Sequence, residues 1–158
     1  MRLKDIREES ELKQFTVSQL LSVARGTYSL WELEMDVIPI KRLVEFCKIF
    51  NCSVDYALGF TNTKNYKNNR ENININLSSK RLKDLRKKHK YTQDDIAKKL
   101  DINRSLISKY ESGHTIISTT FLMEYVRIFK ISSDYLLGKI DIMIVIEEKP
   151  KEREFYYE

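Results

Sequence analysis

One phrase is written twice in this chain: "RLKDIREE" runs from Arg2 to Glu9 and "RLKDLRKK" from Arg81 to Lys88. Sliding the sequence by 79 positions aligns the two, and the same shift lays "EFCKIFNCSVDYALG" (45–59) over "EYVRIFKISSDYLLG" (124–138) without a gap. Between them Gln14 falls on Gln93, Leu21 on Leu100, Arg25 on Arg104, Ser29 on Ser108 and Glu32 on Glu111. In all, about 20 positions between Arg2 and Gly59 are identical to their counterparts. A register held over that distance predicts two copies of one small domain, and a domain of roughly 60 residues is near the lower limit of independent folding. The expected division is a first copy over 1–60, a linker over 61–78, a second copy over 79–139 and a tail over 140–158.

The unit reads as helical. Only 4 Gly and 2 Pro occur in 158 residues, too few for loop-rich architecture. In the second copy, Leu82 and Leu85 predict a first helix over about 79–89. Thr92 is a good N-cap, with Asp94 and Asp95 placed to suit the dipole of a second helix that turns Ile96, Ala97 and Leu100 inward. "DIN" interrupts, and Asn103 opens a third helix through Glu111, ended by Gly113. A fourth runs over about 119–129, with Phe121, Leu122, Tyr125, Val126 and Phe129 as core, and Ser132 caps a short fifth. The fold class is all-α, five helices to a copy with short connections.

The linker "TNTKNYKNNRENININLS" is rich in Asn and Lys and reads as flexible, with Ile73, Ile75 and Leu77 able to dock as a short extended piece. In the tail, Ile140 to Ile146 form a β-branched apolar run. It is an edge strand, a strand shared between subunits or a segment packed on a domain; covering is expected, and the charged end is expected to fray.

Helices two and three, joined by about three residues, have helix-turn-helix spacing, which leaves the second of the pair free to enter a major groove. Ala97 allows the close crossing, Ile102 plugs the turn and Ile107 anchors the third helix from below. Arg104, Ser105, Leu106, Ser108 and Lys109 share its remaining faces, with tips suited to base edges and phosphates.

"YTQDDIAKKLDINRSLISKYESG" followed by "ISSDYLLG" resembles the lambda-repressor-like (Cro/CI, xenobiotic-response-element) helix-turn-helix family over 80–139; residues 2–60 resemble it more weakly. The resemblance implies two tandem five-helix DNA-binding domains. It implies that Gln93 touches backbone and bases, that Asn103, Arg104, Ser105, Leu106, Ser108 and Lys109 read the groove, and that His114 and Thr115 hold a phosphate. Two positions depart from the family pattern: Asp101 stands where Gly is usual and Ile117 where Pro is common. "YESG" and "SDYLLG" read as cap and core, while Lys98 and Lys99 are either contacts or a solvated face.

The copies differ in charge. Net formal charge is −1 over 1–60, +2 over 61–78, +7 over 79–139 and −3 over 140–158, giving +5 for the chain. Neutralising phosphates supplies most non-specific affinity for DNA, so the second copy alone is equipped to hold it. The first copy keeps Gln14, Arg25, Thr27 and Ser29 as a second candidate set. However, Gly26 weakens its third helix by roughly 1 kcal/mol against Ala, and Glu32, Glu34 and Asp36 oppose a phosphate wall. Trp31 reads as core. Leu30, Leu33, Met35, Val37 and Ile38 suggest instead an apolar surface for a protein partner or a second chain. The linker, spanning roughly 20–25 Å as a coil, allows one chain to reach two half-sites or two chains to pair through their first copies.

Other chemistries find little footing. Cys47 and Cys52, in apolar surroundings with no secretion signal before them, read as reduced thiols of a cytoplasmic protein. No apolar run approaches membrane-spanning length. His89 and His114 lack partners at metal-ligand spacing. No nucleophile–base pairing or Gly-rich phosphate loop marks an enzyme, and neither a cofactor nor a small-molecule ligand is expected. The expected function is sequence-specific binding of double-stranded DNA as a transcription regulator, a repressor of the phage or mobile-element type the resemblance implies. The alternative is an antitoxin-like or co-regulator interaction protein whose first copy binds a protein or dimerises.

Overall fold

The computed structural model describes residues 1–147. Ten helices lie along them: α1 (Leu3–Glu9), α2 (Gln14–Leu20), α3 (Arg25–Glu32), α4 (Ile40–Phe50), α5 (Val54–Leu58), α6 (Ile75–Lys88), α7 (Gln93–Leu100), α8 (Arg104–Glu111), α9 (Thr119–Phe129) and α10 (Ser133–Leu136). Among the described residues there is no strand, only an isolated antiparallel bridge between Ile131 and Val145.

Local chemistry starts α7, α8, α9 and α10 where the sequence predicts. Thr92 and Asp95 form a capping box, the Asp95 N–H donating to Thr92 Oγ1 at 3.0 Å and the Thr92 N–H to Asp95 Oδ2 at 2.7 Å. Ser53, Ser118 and Ser132 cap α5, α9 and α10 with their hydroxyls. Asn51, Asp101 and Lys130 end α4, α7 and α9 in the left-handed region. Asn103 stands at the N-cap position of α8, but its side chain makes no cap bond.

The core is continuous over both five-helix sets. Leu3, Ile6, Val17, Tyr28, Trp31, Leu43 and Phe46 are buried in α1–α5, and Leu82, Leu85, Ile96, Ile107, Leu122 and Tyr125 in α6–α10. Contacts recur at the offset of 79. Arg7 Nε donates to Glu32 at 2.5 Å and Arg7 Nη1 to the Leu12 carbonyl at 2.9 Å; Arg86 does the same to Glu111 at 2.5 Å and to the Tyr91 carbonyl at 2.8 Å. Arg2 donates to the carbonyls of Tyr56 and Thr61, and Arg81 to those of Tyr135 and Ile140. Arg2 and Arg81 also lie over the rings of Tyr56 and Tyr135, at 4.6 and 3.9 Å.

Two expectations are corrected. First, the segment read as a flexible linker over 61–78 is tied down, and its last residues are helix. α6 begins at Ile75 because the Asn74 side chain caps it, accepting from the Leu77 N–H at 3.1 Å. Upstream, the Lys64 carbonyl accepts from Ser53 N–H at 2.7 Å, Tyr66 donates to Asp55 at 2.9 Å, and the N–H groups of Arg70 and Asn74 donate to the carbonyls of Lys139 and Leu137 at 2.8 and 3.0 Å. Asn and Lys gave the segment its disordered composition, but polar side chains satisfy backbone groups as well as water does. Second, Ile38 belongs to the core, with 0% exposure, and not to the apolar surface. Leu106, among the residues the resemblance places in the groove, is half-buried against the core.

The tail over 140–147 packs on the second set. Ile140 and Ile146 are buried, and Ser132 and Ile146 N–H groups donate to the Ile144 and Lys130 carbonyls at 2.9 and 2.8 Å. The charged end expected to fray lies outside the described residues.

Candidate nucleic-acid interface

Asp101 makes the turn between α7 and α8 with φ of 54°, a conformation that Asp tolerates better than most residues. The Ile102 N–H then returns to the Ala97 carbonyl at 2.9 Å, closing the corner over a nearly buried Ala97. Ile107 and Tyr110 sink into the core at 0% and 4% exposure. This pins the inner side of α8 and turns Asn103, Arg104, Ser105, Ser108 and Lys109 into solvent. The N–H groups of His114 and Thr115 both donate to the Lys109 carbonyl, at 3.1 and 3.3 Å, so the turn after α8 holds their exposed side chains beside its C-terminal end.

Two candidates already have protein partners. Gln93 Nε2 donates to Glu111 at 2.9 Å, which leaves its amide oxygen as the group able to receive a donor. Arg104 Nε lies 3.8 Å from Asp94 on an exposed surface, a loose pair that a phosphate or base edge can displace. Lys98 and Lys99 are exposed. The support beneath was missed in the sequence: Arg86 and Glu111, both nearly buried, join α6 to the end of α8 through a two-pronged ion pair at 2.5 and 3.0 Å. Their matched counterparts Arg7 and Glu32 were visible in the repeat as conserved spacing between the copies, but nothing marked them as partners. Burial pushes the Glu32 carboxyl upward, but the bonds from Arg7 and Gln14 outweigh it and hold it below the usual carboxylate range.

The corresponding surface of the first set has a different chemistry. Gln14 is tied to Glu32 at 2.8 Å, Arg25 and Thr27 are exposed and Ser29 is half-buried. At the positions of Asp94, Lys99, Lys109 and His114, however, stand Phe15, Leu20, Leu30 and Met35, all exposed, Met35 by 75%. Leu33 and Val37 extend that apolar surface. Among the described residues, no helix is long and apolar enough to cross a membrane, and no cluster of three or more His, Cys, Asp or Glu side chains is placed to hold a metal. Cys47 and Cys52 are buried and unbridged.

The paired helices α7 and α8, with their buried anchors and the exposed polar face of α8, have the arrangement of a helix-turn-helix. Residues 82–136 match the helix-turn-helix family. This helix-turn-helix domain runs from the second residue of the Arg81–Lys88 phrase to the end of α10. Among curated proteins, the chain is similar to the HTH-type transcriptional regulator ImmR of Bacillus subtilis (strain 168), 40% identical over 63 residues, which cover 40% of this chain and 50% of that protein. It is also similar to the uncharacterized HTH-type transcriptional regulator YobD of the same organism, 29% identical over 72 residues, which cover 46% of this chain and 64% of YobD. The matched part thus spans about half to two-thirds of the length of these relatives. No solved structure matches significantly.

Proposed function

We propose that this chain is a sequence-specific DNA-binding transcriptional regulator, a repressor, that occupies a promoter and reads the major groove with α8. Residues 79–139 are the reading domain, residues 1–60 a diverged tandem copy, 61–78 the connection and 140–158 a tail. One observation carries the reading: α8 stands on buried Ile107 and Tyr110 and offers Arg104, Ser105, Ser108 and Lys109 outward, in the part of the chain with a net charge of +7. The named relatives, both called transcriptional regulators, support it. In the bound state Asn103, Arg104, Ser105 and Ser108 face base edges, Lys109, His114 and Thr115 hold the backbone, and Gln93 sits where the second helix meets the phosphates.

The test is selection of bound sequences from random duplex DNA, followed by titration at several salt concentrations. The expected result is an enriched motif and an affinity that falls steeply with salt. Absence of any affinity at low salt would rule the proposal out.

The exposed apolar side chains on the first set favour one further reading, a co-regulator or antitoxin-like protein that uses this surface for a protein partner. A stable heterocomplex lost on Leu33→Lys and Met35→Lys, with DNA binding intact, is the result that reading requires.

A further inference from the structure

α5 and α10 exchange caps. Asp134 accepts from the N–H groups of Val54 and Asp55, at 3.0 and 2.8 Å. Asp55 in turn accepts from the N–H of Ser133 at 2.7 Å, from its hydroxyl at 2.5 Å and from the Ser132 hydroxyl. Asp134 is the counterpart of Asp55 at the offset of 79, and Ser133 that of Val54. The contact is therefore of the kind in which a first residue meets the partner's second and the partner's first meets the second in return. Only a two-fold relation between the two sets produces that pattern. Thr119 adds a third crossing, its hydroxyl donating to the Ile38 carbonyl at 2.7 Å within the interior. Tyr66 and Asn69, from the connecting segment, reach Asp55 and Asp134 and close the junction from one side.

Both aspartates are at 0% exposure, so the junction is occupied within one chain and is not offered to a second. A two-fold pair of identical readers takes an inverted repeat, because protein and DNA then share an axis. Here the axis is kept but the readers are unlike: Lys109 and His114 on one side, Leu30 and Met35 on the other, with the matched arginines Arg25 and Arg104 exposed on both.

We infer that the chain works as a single-chain pseudo-dimer: one monomer occupies one duplex site with two unlike halves, α8 reading one half and the Asp55–Asp134 exchange holding the first set over the other. This rests on the regulator reading above.

The test uses the full chain and the motif that selection enriches. Scattering or sedimentation gives the mass of the complex, and hydroxyl-radical footprinting gives its extent. The expected result is one chain per duplex, one enriched half-site, and backbone protection that continues into the next groove, roughly 10 base pairs away. Two chains on an inverted repeat would overturn the inference and leave the regulator reading standing, as would one chain protecting a single groove. An absence of binding at low salt would overturn the regulator reading and the inference with it. The junction itself is checked without DNA: small-angle scattering of the free chain should give a monomer with a radius of gyration of about 15 Å, the value for a compact chain of this length. A radius larger by several ångströms, as for two separate bodies, would refute the exchange even if every aspartate variant failed to fold.

Discussion

Asp134 has two backbone donors, the Asn69 amide at 3.4 Å and the Lys139 ammonium at 3.5 Å around its carboxylate. Burial, and then the neighbouring Asp55 charge, nevertheless push its pKa up to about 7. A folded state that keeps this proton to higher pH than the unfolded chain gains stability below about pH 4, and that contribution is lost as pH rises toward 7. The expected outcome is that Asp134→Asn is less stable but lacks this slope. Denaturant titrations of both proteins from pH 5 to 8 measure it, and Glu32, whose lowered pKa acts in the opposite sense, cancels in the comparison. At the interface, Arg104→Ala is expected to weaken binding to the selected site by about 1–3 kcal/mol, if it makes a base contact, and to relax specificity there. Lys109→Ala should weaken all sequences alike and flatten the salt dependence, while Arg25→Ala does less. Equal losses at Arg25 and Arg104, measured by anisotropy titration, would mean that the two surfaces read alike.

The ion pair between Arg86 and Glu111 is the link that keeps α8 at a fixed height over α6 and α7, since Glu111 also receives Gln93. Removing one member of a nearly buried pair leaves an uncompensated charge, so Arg86→Ala should cost about 3–5 kcal/mol; replacing both with Met and Leu should cost much less. Urea denaturation distinguishes the two outcomes. At the turn before α8, Asp101→Gly should raise stability by roughly 1 kcal/mol, because Gly takes the left-handed conformation without a Cβ penalty. Most of the second set's helices were legible because their signals are local. α9 runs over the expected 119–129, between the Ser118 cap and the left-handed Lys130. α7 and α8 likewise begin after Thr92 and Asn103. The early start of α6 and the pairing of Arg86 with Glu111 were not, because one depends on Asn74 docking against Leu137 and the other on two residues 25 positions apart. Five candidate residues, Arg104, Ser105, Leu106, Ser108 and Lys109, came from one helix face, and Gln93, Asn103, His114 and Thr115 from the family resemblance. Which of them are already engaged, Gln93 with Glu111 and Arg104 with Asp94, depends on side-chain geometry that spacing does not encode.

Gly59 and Gly138 are counterparts, with φ of 86° and 72°, yet their surroundings differ. A Cβ at Gly59 would meet nothing within 4 Å, whereas one at Gly138 would stand 2.8 Å from the Asn74 carbonyl oxygen. Gly59→Ala is therefore expected to cost about 1 kcal/mol, the backbone penalty alone. Gly138→Ala should cost clearly more, because the connecting segment must move off the second set; thermal unfolding of the two variants compares them directly. That segment, with the capped ends of α5 and α10, makes the two sets one body. The consequence concerns dose. A regulator that must first assemble from two separate chains fills its site in proportion to the square of their concentration while they are scarce. Two halves held in one chain meet at an effective concentration fixed by the fold, so occupancy rises with the first power. The inferred pseudo-dimer would have no assembly threshold, each chain acting singly.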